Sequence, residues 1–76
     1  MPVIKIIDAI KLYMYFFDHN PPHFHAVYAE YEELIIINSL ETYAGGLPKA
    51  QRKKVVDWAK ENKDYLMQKW EEYNPH

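Results

Sequence analysis

The chain has 76 residues and no cysteine. This excludes disulfides and thiolate metal sites as reinforcement. Its two glycines sit side by side, Gly45-Gly46. They lack the spacing and the Lys-Ser/Thr of a phosphate loop, so that chemistry is excluded as well. No excess of basic charge is present: the formal net charge is −2 and the pI is near 6.0. Proteins that coat nucleic acid by electrostatics alone are usually basic, so only a local basic patch could serve that purpose. No apolar run approaches the roughly 20 residues needed to span a membrane. The first residues lack the basic region, long apolar core and small-residue cleavage site of a signal peptide. A cytoplasmic protein with no membrane partner is therefore expected.

What the chain does have is aromatic bulk. Seven Tyr, three Phe and two Trp make 16% of the residues. A single domain over 1–76 is expected at this length, and so short a chain buries a small fraction of its surface. A dense aromatic core, self-association, or both would compensate, and a homo-oligomer is expected on that ground.

The first half reads as strands. Residues 3–7 are rich in β-branched side chains after Pro2, with a turn at Asp8-Ala9. Residues 10–17 alternate Leu12, Met14 and Phe16 with Lys11, Tyr13, Tyr15 and Phe17, a period-two strand. Pro21 and Pro22 stop it. Residues 23–29 resume as a strand, residues 30–32 form a turn, 33–38 a central strand, and 40–44 a short edge strand. The second half reads as helix. Pro48 suits a first turn, and Val55, Trp58 and Ala59, then Leu66, Trp70 and Tyr73, recur at helical spacing as core positions. Asn62-Lys63-Asp64 divides this region into two helices, or one long helix runs through; the last residues, to His76, form a frayed end. The fold class is α+β: four to five antiparallel strands, then one or two C-terminal helices packed on one face.

Chemistry concentrates in Asp18-His19-Asn20-Pro21-Pro22-His23-Phe24-His25-Ala26. Three of the four histidines fall within seven residues, beside a carboxylate and a rigid corner. On a strand His23 and His25 share a face, with Phe24 and Ala26 opposite. Asp18 and His19 lie across the corner and could fold back toward that pair. A carboxylate beside an imidazole fixes its tautomer and raises its pKa.

Three uses fit these residue types. His23 and His25 could act as an acid–base pair on a phosphodiester without metal, with Asp18 and His19 orienting the rings and Tyr13 or Tyr15 stabilising charge. Alternatively, His23, His25 and His19 or Asp18 could hold a divalent transition metal such as zinc in an open site. In a purely structural use, Asp18 and Asn20 would bond the turn and the histidines would pack at a sheet edge. Lys49, Arg52, Lys53 and Lys54 form a small basic cluster, either a solvated helix face or a phosphate contact. Asn20, Tyr15, Lys49, Arg52 and Lys53 are the candidate ligand contacts. Tyr28, Tyr31 and Tyr43 could stack on bases. Glu30, Glu32 and Glu33 read as a solvated turn.

Met1-Pro2, Tyr15-Phe16, the histidine segment, Leu47-Pro48 and Trp58-Ala59 together carry a resemblance over nearly the whole chain. The sequence resembles the small bacterial proteins grouped as domain of unknown function 4160. Phe17 stands where a polar residue is common in such proteins. The resemblance implies a toxin–antitoxin-like or defence-linked pair with a cognate small protein partner, and carries no established activity. The expected function is action on RNA or a nucleotide through the histidine corner, as a metal-independent, ribonuclease-like phosphodiesterase if it is an enzyme. The alternative is a non-enzymatic homo-oligomeric module binding a metal, a nucleotide or a partner protein.

Overall fold

The computed structural model describes residues 2–75; Met1 and His76 lie outside them. Five strands, β1 (Val3–Ile7), β2 (Ile10–Tyr13), β3 (His23–Tyr28), β4 (Tyr31–Ile36) and β5 (Thr42–Gly45), precede two helices, α1 (Lys49–Lys60) and α2 (Lys63–Tyr73). The sheet is an antiparallel meander in chain order, β1-β2-β3-β4-β5. Every connection is too short for a crossover, which leaves antiparallel pairing as the solution. The protein is α+β, as its pattern predicts.

Register divides the sheet into two faces. Leu12 pairs Ala26, which pairs Glu33, and Phe24 pairs Ile35. These side chains join Val55, Ala59, Leu66 and Trp70 of the helices in one core. Lys11, Tyr13, His25, Val27 and Leu34 alternate with them and stand on the opposite face. Of the aromatics only Phe24 and Trp70 belong to the buried core, which is otherwise mainly aliphatic. The expected dense aromatic core is thus corrected. Trp58 and Tyr73 pack half-buried at its margin, and Phe16, Phe17, Tyr31, Tyr43 and Tyr65 are exposed.

Several boundaries move for local reasons. Strand β2 stops at Tyr13 instead of Phe17. Phe17 takes a left-handed φ of 55° and donates its N–H to the Tyr73 carbonyl at 3.0 Å, which turns the chain out of the sheet. The β3–β4 turn is Ala29-Glu30, because Tyr28 pairs Tyr31. The edge strand begins at Thr42, after Leu40 turns at φ 62°. It includes Gly45, whose positive φ and closeness to the Glu32 carbonyl leave no room for a Cβ. The helices are two. Asn62 breaks them, but its side chain closes the end of α1 by donating to the Trp58 carbonyl at 2.7 Å and makes no cap bond on α2.

Glu33 is not part of a solvated turn. It lies on the helix-covered face, fully buried. Its carboxylate accepts from Arg52 Nε at 2.9 Å, Thr42 Oγ1 at 2.6 Å and the Leu47 N–H at 3.0 Å. Burying a carboxylate is costly unless its lone pairs are met, and here three donors meet them. The cluster ties β4, β5, the Gly45-Gly46 connection and α1 together. Among the described residues no helix is long and apolar enough to cross a membrane.

Candidate functional site

The histidine corner is assembled from three places in the chain. Strand β3 presents His23 and His25 on the face away from the core. The connection from Met14 to Pro22 folds back over that face, with Asn20-Pro21 in the cis form. Tyr15 covers the His25 ring edge-on, 4.4 Å between centroids. Tyr43 of β5 lies 5.6 Å from His23, and Trp70 of α2 lies 5.4 Å from it.

The connection is held from the C-terminal side. The Asp18 N–H donates to Asn74 Oδ1, and Asn74 returns two donors, its N–H and Nδ2, to the Trp70 carbonyl. Residues 73–74 therefore anchor the corner and do not fray; His76 lies outside the described residues.

Asp18 is the hub. Its Oδ1 accepts from the His19 N–H at 2.8 Å and lies 3.0 Å from His19 Nδ1. Its Oδ2 lies 3.2 Å from His23 Nε2 and 3.5 Å from His25 Nε2. Neither Nε2 has a partner in hydrogen-bonding geometry, and both are buried. The other ring nitrogens are engaged: His23 Nδ1 is 2.7 Å from the Pro21 carbonyl, and His25 Nδ1 is 3.1 Å from Glu32 Oε2. Burial pushes the Asp18 carboxyl up, but the His19 N–H and the neighbouring imidazoles outweigh it and hold it below the usual carboxylate value. Burial, then the nearby Glu32 carboxylate, pushes the Tyr15 phenol up.

Access is uneven. The His23 side chain is 0% exposed, His25 11%, Asp18 16% and His19 66%. Asp18 and Asn20 open on a cavity of about 300 Å³ shared with Phe17, Trp70, Asn74 and Pro75. Phe17 rises from this rim at 81% exposure.

The donor atoms of Asp18, His23 and His25 lie within 4.8 Å of one another, close enough to share one metal ion. His19 is not in that trio; Asp18 takes its place. The expected basic contacts lie elsewhere. Lys49, Arg52 and Lys53 line a separate cavity along α1. Arg52 is committed to Glu33, and Lys53 pairs Asp57 at 2.7 Å. Sequence reasoning missed Glu32 and Asn74, and offered Tyr43 for base stacking without placing it beside His23. Placing the hairpin turn at Ala29-Glu30 would have set Glu32 diagonally beside His25; nothing local marks Asn74.

The family model described as Domain of unknown function (DUF4160) matches residues 9–71 of the chain. No curated protein and no solved structure matched.

Proposed function

We propose that this chain, which belongs to the family described as Domain of unknown function (DUF4160), acts on RNA or a nucleotide at its histidine corner. One observation carries the reading: Asp18 converges with His23 and His25 beside an open cavity. Structural corners satisfy their polar atoms, whereas two buried, unpartnered Nε2 atoms facing one carboxylate oxygen are held ready for something else. Asp18 on the cavity and the exposed His19 are the groups that can reach a ligand, with the buried His25 behind Asp18. His23 works through Asp18 unless the corner opens. Phe17 on the rim offers a flat face to a base. In this reading the protein is a cytoplasmic component of a toxin–antitoxin-like or defence-linked pair, with a small cognate protein as partner.

The test is incubation of the purified protein with single-stranded RNA and with nucleotides, followed by product analysis, and in parallel expression of the chain in cells. A His23→Ala/His25→Ala double variant that stays folded is expected to lose activity and any toxicity. Undiminished cleavage or toxicity in that variant overturns the reading.

A second reading rests on the uncovered sheet face. Tyr13, Val27, Leu34 and Ile36 are half-buried there and Ile6 is exposed, with no helix over them. A non-enzymatic module that pairs with itself through this face would hide it. Sedimentation separates the two: a dimer that a Leu34→Asp variant converts to monomer supports self-association.

A further inference from the structure

We propose that Asp18, His23 and His25 form a binding site for one divalent transition-metal ion, with the Pro21 carbonyl and Glu32 fixing the rings that hold it. This rests on the reading of the corner as the functional site and names the ion that site takes.

The tautomers carry the first step. A carbonyl can only accept, so the proton of a neutral His23 ring sits on Nδ1, facing Pro21. The Glu32 carboxylate likewise draws the His25 proton to Nδ1. Both Nε2 atoms then carry bare lone pairs, and both lie within 3.5 Å of Asp18 Oδ2. Three acceptor atoms facing one another in a buried place repel unless a cation lies between them. A single metal ion satisfies all three donors at once.

The distances support the ion. Ligand atoms about 2.1 Å from a common metal stand roughly 3.0–3.4 Å apart in octahedral or tetrahedral geometry. The Nε2–Oδ2 separations are 3.2 and 3.5 Å. A charge-assisted imidazolium–carboxylate hydrogen bond would be shorter, about 2.7–2.9 Å, and well directed, and these are neither. The support of the donors follows the same pattern. Metal-bound histidines give their second N–H to a carbonyl or a carboxylate, which orients the ring and raises its basicity. His23 uses the carbonyl and His25 the carboxylate. Asp18 Oδ1 is occupied by His19, which turns Oδ2 toward the ion.

Two imidazoles and one carboxylate, with no thiolate in the chain, suit zinc, iron(II), cobalt or nickel better than magnesium or calcium. Three protein ligands leave coordination positions free, as in catalytic sites. Asp18 borders the 300 Å³ cavity, where a water or a phosphate oxygen could complete the shell.

The experiment is calorimetric titration of untagged, metal-stripped protein with ZnCl2, repeated with CoCl2 while visible absorption is recorded. One ion per chain is expected. His25→Ala and Asp18→Ala should each weaken binding at least ~100-fold. Glu32→Gln, which touches no metal, should weaken it about 10-fold and shift the cobalt spectrum. Glu32 is half exposed, so this variant is expected to fold even if changes at His23 do not. Wild-type protein that binds Zn²⁺ no more tightly than Asp18→Ala, or stoichiometric binding that His25→Ala leaves intact, overturns the site. The functional reading fails separately, when protein loaded with its ion leaves RNA and nucleotides unchanged.

Discussion

Asp18 and Glu33 are two acids held by opposite means. Asp18 sits among imidazoles at the rim, with its carboxyl pKa lowered. The sign of its pH effect follows: its contribution to stability is present above the ordinary carboxylate range near pH ~3.9 and is lost as pH falls through its lower folded value. In metal-free protein, acid titration followed by circular dichroism should show a loss of stability below about pH 4 that Asp18→Asn reduces. Glu33 is sealed inside, with Arg52 as its charged partner. Arg52→Ala leaves that carboxylate with two neutral donors, Thr42 and Leu47 N–H. Arg52 is itself about one-third exposed, so the expected cost is nearer ~2 kcal/mol than the upper figures for buried pairs. Denaturant unfolding measures it, and a cost under about 0.5 kcal/mol would mean the cluster contributes little.

At the level of elements, the turns hold unspent stability. Ala29 opens the two-residue β3–β4 loop at φ 51°, a left-handed conformation that costs a Cβ-bearing residue about 1–2 kcal/mol. Ala29→Gly should therefore stabilise by roughly 0.5–1 kcal/mol after its own entropy is counted. In a domain of this size that appears as a rise of a few degrees in Tm. Gly45 behaves in reverse: its φ is 71° and a Cβ would meet the Glu32 backbone. Gly45→Ala should detach β5 from β4 and lower Tm sharply, and unchanged Tm would refute the close packing at that edge. Phe17 shows the same left-handed strain with no glycine to relieve it. Such outliers persist where surrounding contacts impose them, here the bond to Tyr73 and the Asn74 clamp on Asp18. Asn74→Ala should loosen the corner, weakening metal binding in the same titration while leaving the sheet's circular dichroism in place.

Over the whole molecule, the two faces of the sheet divide the work. One face packs the aliphatic core against both helices, and the other carries the histidines, covered by the Met14–Pro22 connection and Tyr43, with Trp70 of α2 reaching His23 from the edge. The corner is fastened to the last helix, so ligand binding there couples to global stability. A divalent ion that binds the folded state alone should raise Tm by mass action, by about 2.7 kcal/mol of stability at 100 times its dissociation constant. His25→Ala should abolish that rise in a thermal scan with ZnCl2.

Alternation, short connections and helical spacing were enough to specify an α+β meander with a helical second half, because local periodicity reports which face of an element is apolar. The same alternation placed His23 and His25 together, opposite Phe24 and Ala26. The sequence alone could not locate the end of β2, because the segment after Tyr13 is held outside the sheet by the bond from the Phe17 N–H to a carbonyl 56 residues away. Nor could it tell that Glu33 is buried while Glu32 supports His25. That depends on hairpin register, where a shift of one residue exchanges the faces. The choice of Asp18 over His19 as the third converging group was also tertiary. It is set by Asn74, which grips the Asp18 backbone from the far end of the chain and turns its carboxylate onto both imidazoles.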